Sequence, residues 1–134
     1  MMQNLNITWV DPPMTIENCK TGSDVDTNYR YNGTCFQGTS FQLITYKQLV
    51  ECFGEPLLGP NADPASKVTC MWGLEADING ERVRATIYDW KVFGPTPIDE
   101  YEWHIGGDDQ RAVTLVICQF MASIRPDAGQ INNE

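Results

Sequence analysis

The sequence predicts an α+β fold: one antiparallel β-sheet with two helices on one face, in a single domain spanning residues 1–134. Three observations carry this. Two stretches of period-2 alternation flank Asn79-Gly80, two apolar stripes at helical spacing sit at 45–53 and near the C-terminus, and no strand–helix–strand repeat calls for a parallel sheet.

The hairpin is the sharpest of these signals. Val68, Cys70, Trp72, Leu74, Ala76 and Ile78 alternate with Thr69, Met71, Gly73, Glu75 and Asp77. Asn-Gly is the dipeptide that tolerates positive φ at both central positions of a type I′ turn. A two-residue turn sets Trp72 opposite Ile87, Leu74 opposite Ala85 and Ala76 opposite Val83, and on the other side Glu75 opposite Arg84 and Asp77 opposite Arg82. Apolar and opposite-charge pairs therefore fall in line in one register.

The first helix begins at Thr45, whose T-x-x-Q spacing to Gln48 is that of a capping box. Tyr46, Leu49, Val50 and Phe53 form its apolar stripe, Gly54 supplies a C-terminal cap and Pro56 forbids continuation. Thr39–Ile44 alternates enough to suggest a strand before it, and 57–66, with two prolines, is a loop. Ile98–Ile105 alternates, with Tyr101, Trp103 and Ile105 on one face; Gly106-Gly107 is expected to break it. Asp108 or Asp109 then caps a helix of about four turns, with Val113, Val116, Ile117, Phe120, Met121 and Ile124 on one side and Arg125-Pro126 at its end. Residues 1–32 read as irregular, with a short strand over Leu5–Val10, and 127–134 as a loose tail.

Composition narrows the function. With 18 acidic and 9 basic residues the formal charge is -9, a field that repels nucleic acid; it suits solubility, a basic partner protein or mimicry of nucleic acid. No apolar run is long enough to span a membrane and the N-terminus lacks a signal-peptide pattern, so no membrane partner is expected and the chain is expected to stay in the cytoplasm. Five widely spaced cysteines without a CxxC pair read as small buried thiols in a reducing compartment rather than a disulfide or zinc framework.

The one histidine, His104, has no second histidine to share a metal. Asp99, Glu100, Glu102, Asp108 and Asp109 lack the spacing of a calcium loop and read as a solvated face and a helix cap. None of the common nucleotide-hydrolysing, serine-nucleophile, zinc-protease or dinucleotide motifs occurs, so the sequence favours a non-enzyme with no metal and no cofactor. One constellation suits a ligand. Gly106-Gly107 leads into a helix N-terminus, Arg111 lies in its first turn, Arg82, Arg84 and Lys91 lie in the adjoining hairpin, and Trp90, Phe93, Tyr101 and Trp103 offer surfaces for a base. The plainer reading has the glycines turn the chain, the arginines pair with Glu75 and Asp77, and the aromatics fill the core.

Four blocks occur in order: Gly33-Thr34-Cys35-Phe36-Gln37-Gly38; Phe53-Gly54-Glu55-Pro56 after Tyr46–Val50; Ala85-Thr86-Ile87-Tyr88-Asp89-Trp90-Lys91; and Trp103-His104-Ile105-Gly106-Gly107 with Arg111-Ala112-Val113. Over residues 33–117 the chain resembles a family of small phage and viral proteins with G-T-S-L-Q-G, F-G-E-P, A-T-I-Y-(N/D)-(W/Y)-K and W-H-I-G-G blocks. It departs from that pattern at Cys35-Phe36 and at Asp108-Asp109. The association is with phage anti-Thoeris sponge proteins, which sequester a cyclic ADP-ribose-type immune signal without cleaving it. The resemblance implies a counter-defence protein acting in the infected host's cytoplasm, a homo-oligomer, and a small nucleotide-type ligand contacted by Arg111, Trp90 and Phe93. Arg84, Trp103, His104, Gly106 and Gly107 complete the set of residues expected around a ligand. The alternatives are an acidic inhibitor of a host defence protein and a virion or assembly component.

Overall fold

The computed structural model describes residues 15–21, 34–63 and 65–124. Along the chain run β1 (Ile16–Thr21), β2 (Cys35–Thr39), α1 (Tyr46–Phe53), β3 (Met71–Ile78), β4 (Glu81–Tyr88), β5 (His104–Gly107) and α2 (Arg111–Ile124). The five strands form one antiparallel sheet in the order β1-β3-β4-β5-β2, and both helices pack on the same face.

The β3–β4 register is the one the Asn79-Gly80 turn predicts, pair for pair, with Asn79 at φ 50° and Gly80 at φ 87°. Trp72, Leu74, Ala76, Val83, Ala85, Ile87 and Ile105 point to the helical face and are fully buried. They meet Leu49 and Phe53 of α1 and Ala112, Leu115, Val116 and Phe120 of α2. Both core indoles satisfy their N–H groups on backbone carbonyls, Trp72 on Gly54 at 2.8 Å and Trp103 on Ile44 at 2.8 Å. The α1 capping box forms as its sequence predicts: Gln48 N–H donates to Thr45 Oγ1 at 3.1 Å, and Thr45 N–H to Gln48 Oε1 at 2.9 Å.

Several expectations are corrected. Gly106 and Gly107 do not break the strand; they end β5, paired with Thr86 and Ala85 on one side and with Phe36 and Cys35 on the other. Their lack of a side chain is what close packing requires. A Cβ on Gly107 would lie 2.3 Å from the Ala112 Cβ, and one on Gly106 would lie 2.7 Å from Thr86 Oγ1. The strand expected over 98–105 shrinks to His104–Gly107 plus an isolated bridge from Tyr101 to Ile44. The strand expected over Thr39–Ile44 lies earlier, at Cys35–Thr39.

β1 occupies part of the stretch read as irregular. Asn18 at φ 54° and a register shift between Glu17 and Lys20 interrupt its alternation, which hides it in the sequence. Leu5–Val10 and 127–134 lie outside the described residues. The α2 stripe is rotated: Ala112 and Leu115 are buried with Val116 and Phe120, whereas Ile124 is exposed. The cysteines form no disulfide, but only Cys70 is buried; Cys35 and Cys118 are exposed.

Candidate functional site: an aromatic depression on the open face

Strand alternation dictates what the face opposite the helices presents. Ile87 and Ile105 point into the core, so Tyr88 and His104, paired across β4 and β5, point the other way. Phe36, opposite Gly106 on β2, joins them. Trp90, just past β4, closes the group. The four rings line a depression of about 420 Å³. That lies within the ~300–1,000 Å³ usual for small-ligand sites. His104 lies 5.0 Å from Phe36, 5.6 Å from Tyr88 and 6.0 Å from Trp90 between ring centres, and nearly parallel to Trp90 at 22°. Phe36 is 57% and Trp90 38% exposed, an unusual amount of aromatic surface for water to meet.

A buried polar clamp positions Trp90. Asp89 is 0% exposed, and one carboxylate oxygen accepts the Thr69 and Cys70 backbone N–H groups at 2.7 and 3.0 Å. The other accepts the Thr69 hydroxyl. Thr69 Oγ1 meets Thr96 Oγ1 at 2.8 Å, and Thr96 exchanges hydrogen bonds with Asn61. These bonds fasten 67–70 against 89–96, and Trp90 N–H donates to the Tyr101 hydroxyl at 3.1 Å. Lys91 N–H donates to the Lys67 carbonyl at 2.7 Å. As a result Lys67 Nζ and Lys91 Nζ lie 6.0 and 5.7 Å from the Trp90 ring centre. Lys91 and Phe93 hold left-handed φ values of 57° and 49°, a conformation that costs ~1–3 kcal/mol per residue and concentrates at functional positions.

Burial of the ring lowers the His104 pKa below its ordinary 6.5, against an opposing pull from Glu102. Burial, reinforced by Asp89, raises the Cys70 thiol to about 12. His104 makes ring contacts rather than a hydrogen bond to a nucleophile among the described residues.

Of the residues singled out from the sequence, the structure brings together Trp90 and His104, with Gly106 beside them: a Cβ there would lie 3.3 Å from the Tyr88 ring. Trp103 is in the core, edge-on to Trp72 and Tyr101. Phe93 is 60% exposed and lines no part of the depression. Gly107 faces α2. Arg84 is held by Asp108, and Arg111 by both oxygens of Asp109 at 3.0 and 2.8 Å and by Glu81 at 2.5 Å. Asp109 also accepts the Arg111 N–H at 2.9 Å, occupying the start of α2. The hydrogen bond from Arg84 holds Asp108 below its ordinary 3.8, and that from Arg111 does the same for Asp109. Glu75 and Asp77 both pair with Arg82.

Sequence reasoning missed Phe36, Tyr88 and Lys67 as site residues. The signal for Tyr88 was present: an aromatic on the face that otherwise carries Arg82, Arg84 and Thr86 has no core to fill.

The fold and site define a small antiparallel α+β protein with an aromatic depression on the sheet face away from its helices, with two lysines near its Trp90 ring. Neither a family model, nor a curated protein, nor a solved structure matches the chain.

Proposed function

We propose that this chain is a non-enzymatic binding protein that takes up and withholds a small nucleotide-type ligand in the depression lined by Phe36, Tyr88, Trp90 and His104. The observation that carries the reading is four converging rings left accessible by a clamp that holds Trp90 at the sheet surface. Each base stacked on an aromatic contributes ~1–3 kcal/mol and needs no particular base edge. The resemblance of the four sequence blocks to those of phage proteins directs the ligand choice to a cyclic ADP-ribose-type immune signal, and the setting to the host cytoplasm during infection. Two of those blocks supply three of the four rings: Tyr88 and Trp90 come from one and His104 from the other.

A thermal-shift series with cyclic ADP-ribose isomers, cyclic di- and trinucleotides and NAD tests this. A ligand at ~100 times its Kd adds ~2.7 kcal/mol of stability, several degrees for a domain of this size. The expected result is a shift with one of them, lost in Trp90→Ala, with the ligand recovered intact after denaturation. Absence of any shift, or recovery of a cleaved product, overturns the reading. A second reading, an inhibitor of a basic host defence protein, is favoured by the net charge of -9 and the exposed Asp99, Glu100 and Glu102. Its signature is retention of one basic host protein by wild type and not by a variant with those three residues neutralised.

A further inference from the structure

The side chains of Arg82, Arg84, Arg111, Lys67 and Lys91 divide into two groups. Arg82, Arg84 and Arg111 are each bound to carboxylates. Lys67 and Lys91 are not: among the described residues neither ammonium group comes within 4.0 Å of a carboxylate, and both converge on the Trp90 ring.

That convergence is built. The backbone hydrogen bond from Lys91 to Lys67, the Asp89 clamp beneath it and the left-handed Lys91 backbone bring both ammonium groups to within 6.0 Å of the Trp90 ring centre. In a chain with twice as many acidic as basic residues, two ammonium groups at one ring with no carboxylate within 4.0 Å among the described residues leave positive charge available. They form a site for an anion arriving from outside.

We propose that Lys67 and Lys91, and not Arg84, Arg111 or the start of α2, hold the anionic group of the ligand, so that the site takes a base-bearing phosphate: the base against the rings, the phosphate at the two ammonium groups. This deepens the proposed function and rests on its reading of the depression as a base site. The α2 alternative is closed by its own residues, because Asp108 and Asp109 neutralise the two arginines and Asp109 accepts the Arg111 N–H. Both ammonium groups also lie within 6.0 Å of the centre of a ring that lines the depression.

Calorimetric titration of the full chain with AMP and with adenosine reads the two halves separately. Wild type is expected to bind AMP at least about tenfold more tightly than adenosine. The Lys67→Ala/Lys91→Ala variant is expected to lose that preference while adenosine binding stays within about twofold. Lys67→Arg/Lys91→Arg, which keeps both charges, should retain the preference, and Lys47→Ala on the exposed side of α1 should match wild type. Circular-dichroism melts confirm that each variant is folded. Equal affinity for AMP and adenosine in wild type overturns this inference and leaves the base site standing, provided Trp90→Ala abolishes binding of both. A preference for AMP that survives in the lysine variant and disappears in Arg111→Ala also overturns it. Binding of neither compound overturns this inference, whereas the proposed function falls only if the thermal-shift series also shows no ligand.

Discussion

Asp89 lies at the end of β4 with no exposed surface, and three donors converge on its carboxylate. Asp89→Ala would strand the Thr69 and Cys70 N–H groups in the interior, at ~1–3 kcal/mol for each unsatisfied group. We expect a loss of roughly 3 kcal/mol by urea unfolding, together with weakened ligand binding, because Trp90 and Lys91 follow directly in the chain. His104 gives a second residue-scale prediction. Its pKa is lowered by burial in the folded protein, so the unfolded chain binds the proton more readily. The stability that His104 contributes is therefore complete above its ordinary 6.5 and declines as pH falls from there through the folded value. An NMR titration should place the His104 midpoint below 6.5, and His104→Phe should remove that part of the pH dependence of stability. Asp108 acts lower on the scale. Held down by Arg84, it loses its contribution only as pH falls below 3.8.

At the scale of elements, two positions show how sequence becomes packing. Thr45 closes the capping box of a helix only two turns long, and Thr45→Ala should cost about 1 kcal/mol, measured by thermal unfolding. Gly107 allows α2 to lie directly on β5. Gly107→Ala would drive a methyl group into Ala112 and the Arg84 carbonyl, neither of which can yield without moving backbone. A loss of ~2 kcal/mol is expected from such overpacking. The hairpin was legible in full because Asn79-Gly80 admits one register and both faces agree with it. The fifth strand was less so. Two glycines read as a break when only neighbours in sequence are considered, yet a sheet interior accepts them where a helix or a cross-strand hydroxyl needs the space.

Across the whole molecule, polarity is divided by the sheet. One face is covered by α1 and α2, and the other carries the rings that line the depression. No helix among the described residues is long and apolar enough to cross a membrane. The cysteines report on the same division. An uncharged thiol-reactive probe should label exposed Cys35 and Cys118 in the native protein, and Cys70 only on unfolding, because burial removes access and its pKa of about 12 suppresses the thiolate. Peptide mapping after brief labelling checks this; early labelling of Cys70 would contradict the packing around Asp89.

From sequence alone followed the α+β class, both helices, the hairpin register and the aromatic identity of Trp90 and His104 as ligand-facing candidates. These depend on local periodicity and turn chemistry, which neighbours in the chain determine. Tertiary structure decided which charges are available. Arg84 meets Asp108 across β4 and β5, and Arg111 meets Glu81 from the hairpin, while Lys67 reaches Lys91 through a bond between two loops. No periodicity encodes those meetings. A side chain's charge is read from its letter, but whether that charge is already neutralised depends on residues the fold brings from elsewhere in the chain.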